Sequence, residues 1–589
     1  MSDFKLVSIV DSVLEDITTE VTLPIITGTT ANNFQSQTAQ ASSGTSQMQF
    51  EIQVPSTETV TSRNLLIQTG IDLQVDFAGG TTVSYWEPNQ TLFAYGKCNS
   101  LQAFPLNTLV TTAQAQINGA AVNVTTRDVM PALLKMFNYE ELAKYNSLTP
   151  SLIDSFYQDF EDGLGSNNNV LSNYSVGGFT KEYQPRGVFP VQLYQTDGTL
   201  ISGLSIKADA NGTSPYASII VRFMTTEPLL FLSPFISGNS KNKAGFLGIS
   251  KMNITLFFGD ATRSMSNASY ALQKSGTTPV PTISNVAFKT YRDPVVLLNF
   301  LTVPPTLADK LAPQNILNYT QFMSYPLSTS ASIPSKSYKT LTFNNVQLSQ
   351  VPTKMLIYVK QSQQDTYDAN WFLSIQGSSF TFANKSSALA GASQVQLYDM
   401  SVKNGLQMNY YEFSGSGISN DTDGNPVEVP TIGSVLCIDP AMDLSIDTQY
   451  SNMCNGQYGL SFTLNVYNQS RESITPTVYL VVANSGIFKT KNGICETLTG
   501  LITQEMVLKT KMQETIMDKQ TYEQDIVGGS IENMNGLHKH MKLHFHKATE
   551  KEHMLDHVPG EVVERHEASG MSAAGMSIPG QRRIRKYTG

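Results

Sequence analysis

Between residues 46 and 510 the chain returns repeatedly to short runs in which alternate residues are apolar, each closed by Gly, Pro, Asn or Ser. Phe50, Ile52 and Val54 alternate with polar neighbours until Pro55-Ser56-Thr57 breaks the run. Leu65 and Ile67, then Ile71, Leu73, Val75 and Phe77, continue the pattern until Ala78-Gly79-Gly80. A period of two places one face of a strand in a core and the other outside it. Further strands are expected at 188–193, 218–224, 229–232 and 252–258. A second series is expected at 339–348, 354–360, 371–382, 434–438, 460–467 and 477–482. Many short strands, few helices and polar loops such as Gly163–Asn169 and Gly415–Asn425 point to all-β sandwiches or barrels.

One core cannot serve 589 residues, because single cores stop growing at roughly 250–300 residues. The two halves share faint similarities. FLSPF (Phe231–Phe235) precedes MNITLFFGD (Met252–Asp260), as CIDPAMDL (Cys437–Leu444) precedes LSFTLNVYN (Leu460–Asn468). Gln53-Val54-Pro55 has an analogue in Gln350-Val351-Pro352. Two related sandwiches in tandem, at 46–284 and 285–510, account for both matches, with insertions in the first half. The main insertion is a helix starting near Thr126-Arg127-Asp128 and running through Tyr145, with Pro131 tolerable in its first turn. Residues 28–48 are polar and nearly uncharged, so residues 1–45 read as an N-terminal arm. Residues 511–589 form a separate C-terminal tail or appendage.

Charge separates that tail from the body. Residues 1–510 hold 28 Lys+Arg and 37 Asp+Glu, roughly half the charge density of an ordinary soluble domain. Charges are costly to desolvate, so a charge-poor surface suits burial against further copies of the chain. All seven histidines lie between His538 and His566. A histidine-free body excludes a Ser-His-Asp triad, a Cys-His pair and a His-ligated metal from that region. Cys98, Cys437, Cys454 and Cys495 are scattered, as buried thiols are. Met1–Pro24 lacks the basic start and apolar block of a secretion signal, so triplets such as Asn123-Val124-Thr125 read as composition rather than glycosylation sites. No apolar stretch approaches the ~20 residues of a membrane-spanning helix.

The remaining motifs are weak. Glu140-Glu141 and Glu161-Asp162 read as solvated surface rather than glycosidase carboxylates. Asp421-Thr422-Asp423-Gly424-Asn425 has the oxygens of a calcium loop, but Ile432 stands where the closing Glu belongs. Trp86 and Trp371 read as packing or loop anchors. No cofactor, catalytic or metal site is expected.

Two stretches bear a resemblance: Phe104–Phe137 (FPLNTLVTTAQAQINGAAVNVTTRDVMPALLKMF) and the run from Trp371 to Leu444, with WFLSIQGSSFTFAN, LYDMSVKNGLQMNYYEFSG and IGSVLCIDPAMDL. They resemble major capsid proteins of polinton-like viruses, adintoviruses and virophages. The resemblance implies a double jelly roll, two tandem eight-stranded sandwiches with helical insertions and a largely irregular or helical tail. It further implies homotrimers of pseudo-hexameric outline tiling an icosahedral shell around double-stranded DNA. Partners would be neighbouring capsomers and minor capsid or penton proteins. The location would be the virion, assembled inside the host cell. A β-rich trimeric attachment or fibre protein binding a surface ligand is the alternative, and a carboxylate-only carbohydrate enzyme is a distant third.

The tail carries three features. HKHMKLHFHK (His538–Lys547) alternates His or Lys with apolar residues and reads as a basic segment rather than a metal site. Arg582, Arg583, Arg585 and Lys586 make a cationic patch suited to an inner-face contact with genomic DNA or an internal membrane. Ile526-Val527-Gly528-Gly529-Ser530 looks like the sites cut by adenovirus-type maturation proteases, which places a candidate cleavage between Gly529 and Ser530.

Overall fold

The structure is a computed structural model. It describes residues 31–40, 44–96, 99–153, 186–235, 245–259, 261–267, 270–272, 279–303, 314–330, 332–361, 371–383, 385–420, 424–447, 449–470 and 473–509. Sixteen strands of these build two sandwiches. The first holds β1 (Ala31–Thr38), β2 (Gln47–Gln53), β3 (Leu66–Phe77), β4 (Val110–Ile117), β5 (Ala120–Val124), β6 (Ser218–Pro228), β7 (Lys251–Phe258) and β8 (Ile283–Thr302). Its two sheets run β1-β8-β3-β6 and β2-β7-β4-β5.

The second holds β9 (Gln314–Ser328), β10 (Tyr338–Gln350), β11 (Lys354–Gln361), β12 (Ser374–Phe382), β13 (Lys385–Ala388), β14 (Val435–Ile438), β15 (Asn455–Tyr467) and β16 (Pro476–Lys491). Its sheets run β9-β16-β11-β14 and β10-β15-β12-β13. Strand for strand the order is the same, and it is that of a jelly roll. The chain is a double jelly roll.

Alternation decides which face goes inward. Met48, Phe50 and Ile52 of β2, with Ile67, Ile71, Leu73, Val75 and Phe77 of β3, are all at most 4% exposed. Each such side chain contributes about 1.5–3 kcal/mol by leaving water. The duplicated topology also explains the sequence similarities. Gln53-Val54-Pro55 and Gln350-Val351-Pro352 end β2 and β10, where each chain turns into the next sheet. FLSPF and CIDPAMDL lie at the connections from β6 to β7 and from β14 to β15.

Helices fill the connections: α1 (Pro105–Leu109) before β4, and α2 (Thr126–Leu133) and α3 (Tyr139–Ala143) before β6. In the second sandwich α4 (Gln394–Lys403) and α5 (Tyr410–Ser414) precede β14, and α6 (Pro440–Asp443) follows it. The helix expected to run through Tyr145 is broken. Pro131 sits in the second turn of α2, which stops at Leu133 and passes through a 3-10 turn at Leu134–Met136. Asn138 then starts α3 with a capping box, accepting from the Glu141 amide at 2.8 Å.

Other departures are informative. Residues 31–38, expected to be part of an arm, form β1, paired with β8 from Ala31↔Thr302 to Thr38↔Val295. Strand β8 begins where the second sandwich was expected to begin, yet it pairs with β3 and β1 of the first. Three register irregularities, around Ile283, Phe288 and Arg292–Val295, scramble its alternation. Leu229–Leu232 is a buried turn rather than a strand, and the expected 188–193 strand is reduced to Gln192–Gln195 beside β6.

Ile494–Thr499 adds a strand beside β16. A Cβ on Gly486 would sit 2.1 Å from the Leu498 carbonyl oxygen of that strand. Gly486→Ala is expected to push it away at a cost of about 1–3 kcal/mol, read as a lowered melting temperature and faster amide exchange at 494–499. An unchanged melting curve would contradict this packing.

Candidate functional site

The tail features all lie outside the described residues: Gly529, Ser530, the histidines from His538 to His566, and Arg582, Arg583, Arg585 and Lys586. So do Glu161-Asp162, Asp421–Asp423 and Cys98. Among the described positions, Trp86 and Trp371 are buried packing anchors. Cys437, Cys454 and Cys495 are buried and unpaired with one another. Burial pushes the Cys437 thiol up to about 12, so it stays protonated and unreactive. Glu141 serves as a helix cap.

What the structure does build is a joint between the sandwiches. Strand β11 reads Lys354-Met355-Leu356-Ile357-Tyr358-Val359-Lys360, and both of its faces are buried. Met355, Ile357 and Val359 enter the core of the second sandwich. Tyr358, on the other face, lies beneath α2 of the first. Its hydroxyl donates to the Asp128 carbonyl at 2.6 Å, and its ring stacks on Tyr479 with centroids 4.9 Å apart. Ser324 of β9 donates to the Asp128 carboxylate at 3.2 Å.

Rings carry the contact further. Phe231 of the first sandwich packs between Phe137 and Phe322, and Phe246 packs between Phe235 and Phe488. Such edge-to-face pairs add about 0.5–1.5 kcal/mol each beyond area burial.

Two hairpin tips meet at the same joint. Asn118-Gly119 between β4 and β5 and Asn492-Gly493 after β16 all have positive φ, the geometry of a type I′ turn. The Asn118 amide donates to the Gly493 carbonyl at 2.8 Å, while its oxygen accepts from the Ser250 and Lys251 amides. The Asn-Gly dipeptides were the available sequence signal for these tips. Nothing local could reveal that they face each other.

A second lock holds the insertions of the first sandwich. Glu227 at the end of β6 is fully buried and accepts five hydrogen bonds, from the Leu106 and Asn107 amides, the Asn107 side chain, and the Thr149 and Thr225 hydroxyls, all at 2.8–2.9 Å. Burial raises its carboxyl above the ordinary value, against the pull of those donors. A carboxylate with every lone pair engaged is a structural tie.

The outer faces differ in chemistry. On the β10-β15-β12 sheet the outward residues are Thr340, Thr342, Gln347, Thr463, Asn465 and their neighbours, and Tyr338 packs on Tyr467 at 4.7 Å. Outside the β8-β3-β6 sheet, Asp72 accepts from Arg222 at 2.8 and 3.0 Å and from Arg292 at 3.2 Å. An open groove of about 560 Å³ runs along β1, lined by Phe34, Ser36, Asn64, Leu66, Leu297 and Asn299. These surfaces are equipped to pack against protein.

Comparison with known proteins agrees with this reading. Residues 2–301 match the family model of the first domain of the Sputnik virophage major capsid protein, and residues 319–486 match that of the major capsid protein V20 C-terminal domain. A capsid protein of Sputnik virophage, V20, is 24% identical over 501 residues, covering 82% of this chain and 78% of the relative. A chain of the cryo-EM structure of the Sputnik virophage matches over 86% of this chain and 95% of its own with a TM-score of 0.72 at 22% identity. The mavirus major capsid protein covers 86% and 98% with a TM-score of 0.62 at 14% identity.

Two substitutions probe the locks. Glu227→Ala removes the shared acceptor of five buried donors, of which the Asn107 side chain and the Thr225 hydroxyl keep a second partner, and is expected to cost about 3 kcal/mol or more, measured by denaturant unfolding. Tyr358→Phe removes one bond while keeping the stack, and is expected to cost about 1 kcal/mol. Equal losses would mean that the five-donor tie is not the stronger of the two.

Proposed function

The chain belongs to the family of the Sputnik virophage major capsid protein, and from that premise we propose that three copies close into a trimer of pseudo-hexagonal outline that tiles an icosahedral shell. Its role is structural, in the capsid of the virion. The observation that carries the trimer is the repeated topology: two sandwiches of identical strand order give three chains six equivalent blocks around one axis. The charge-poor body supports the same reading, because lateral faces that meet other copies gain from having few charges to desolvate. The protein performs no catalytic step of its own, in keeping with 537 residues that lack histidine.

Module limits follow the strand pairing. An arm ends before Ala31, the first sandwich extends through Thr302, and the second begins at Gln314. Both limits depart from the 45/46 and 284/285 boundaries read from sequence. The arm reaches between capsomers, and minor capsid or penton proteins fill the positions that trimers cannot. The tail beyond residue 510 faces inward, where Arg582, Arg583, Arg585 and Lys586 add across many copies to contact genomic DNA or an internal membrane. A viral maturation protease trims the tail between Gly529 and Ser530. Assembly takes place inside the host cell.

Light scattering on the purified chain should give three times 64.5 kDa, and negative-stain images should show compact platelets that form shells when concentrated. Thin elongated trimers with glycan affinity would instead support the fibre reading. Mass spectrometry of subunits from mature particles should show an end at Gly529. An intact C-terminus there would overturn the cleavage.

A further inference from the structure

The two Asn-Gly tips that meet at the joint share a backbone geometry and differ in what their side chains do. Asn118 and Gly119 have φ of 42° and 91°, and Asn492 and Gly493 have φ of 51° and 77°. The Asn118 side chain is held at both ends. Its nitrogen donates to the Gly493 carbonyl at 2.8 Å and the Gly248 carbonyl at 3.3 Å. Its oxygen accepts from the Ser250 amide, the Ser250 hydroxyl and the Lys251 amide at 2.9–3.1 Å.

Asn492 is exposed, and its side chain makes no hydrogen bond among the described residues. The Gly493 amide donates none there either, and nothing lies within 4 Å of where a Cβ on Gly493 would stand. An Asn before Gly is the pair in which the side-chain carbonyl carbon most easily reaches the next backbone nitrogen, because glycine has no Cβ to block the approach and leaves the backbone free to turn.

The other described Asn-Gly pairs are restrained. Asn404 donates to the Cys437 carbonyl at 3.0 Å and the Asp443 carboxylate at 2.7 Å, and the Gly405 amide donates to the Val402 carbonyl at 2.9 Å. The Gly212 amide is engaged by the Asp209 carbonyl at 3.1 Å. Asn455 and Gly456 lie within β15, with the Asn455 amide donating to the Ile502 carbonyl at 2.8 Å.

We infer that Asn492 is a site of spontaneous self-modification, at which its side chain condenses with the Gly493 nitrogen and the tip becomes aspartate or isoaspartate. The Gly493 nitrogen gives up its proton and bonds to Cγ of Asn492. The bond from Cγ to the side-chain nitrogen breaks, and ammonia leaves carrying the proton that Gly493 gave up. A solvent water then adds to one of the two carbonyls of the resulting succinimide and opens it. Opening at the side-chain carbonyl gives aspartate. Opening at the backbone carbonyl gives isoaspartate, whose main chain runs through Cβ.

The isoaspartate product adds a methylene to a turn that has no slack, and the type I′ geometry is lost. Its Gly493 carbonyl is the acceptor for Asn118, so each event removes a tie between the sandwiches and places a negative charge beside it. The change is irreversible, so the joint loosens as the protein ages.

The test incubates the full-length protein at neutral and mildly alkaline pH and maps its peptides by mass spectrometry, with isoaspartate scored by methyltransferase labelling. Peptides holding Asn492 should gain the mass of an OH-for-NH2 exchange at least ~ten-fold faster than peptides holding Asn118, whose side chain must first break its hydrogen bonds. The rate should rise with pH, because the attacking form is the deprotonated nitrogen. In aged protein the Ser250 and Lys251 amides should exchange faster than in fresh protein. Asn492→Gly, which keeps a residue at ease with positive φ, should abolish both the mass gain and the loosening. Equal rates at Asn492 and Asn118, or no isoaspartate at position 492, would overturn the site. Modification of Asn492 with unchanged exchange at Ser250 and Lys251 would overturn its effect on the joint.

Discussion

The fold depends on one act of burial: the outer face of strand β11 disappears beneath α2 of the first sandwich. A sheet in a lone sandwich keeps one polar, wet face. Strand β11 does not, and its run from Met355 to Val359 is apolar or aromatic on both sides, with every one of these residues under 2% exposed. Neither sandwich alone can satisfy that strand. The second sandwich therefore has its lowest free energy only when α2 lies over Tyr358, and the two sandwiches belong to one compact unit.

That constraint orders the remaining features. Glu227 matters because it fixes α1 and the Thr149 loop to the end of β6, keeping the insertions in shape while α2 docks. Asn118 matters because a type I′ tip, with both central residues at positive φ, is stiff enough to hold an amide against a carbonyl of the other sandwich. The outward β10-β15-β12 sheet, free of this duty, carries mainly Thr, Ser, Asn and Gln. This neutral coat is compatible with water before assembly and inexpensive to dehydrate afterwards.

Much of this was legible in the sequence, and what was hidden has physical causes. The alternation of Ile71, Leu73, Val75 and Phe77 announced β3, and the paired Gln-Val-Pro turns announced the duplication, because both are local patterns. Strand β1 was not legible. Its residues Asn33–Thr38 hold by a backbone ladder and bury no side chain, so no periodicity marks them. Strand β8 was obscured by Asp293 at positive φ and by Pro294, around which its register slips. Helix α2 looked longer than it is because the apolar stripe continues past Leu133, where the backbone passes through a 3-10 turn and becomes extended at Phe137. The joint itself joins positions far apart in the sequence, such as Asp128 and Tyr358 at a separation of 230 residues, and single-sequence patterns carry no information about such pairs. The tail, with every histidine and the Gly528-Gly529 pair, lies outside the described residues.

The dependence of the second sandwich on the first is open to direct measurement. Native-state hydrogen exchange across a denaturant series reports which segments open together. The account predicts that amides of Lys354–Gln361 and of Thr126–Met136 share one opening free energy and one denaturant slope, because exposing either face of β11 requires α2 to leave. Opening of Lys354–Gln361 at a distinctly lower free energy, while Thr126–Met136 remains protected, would contradict it.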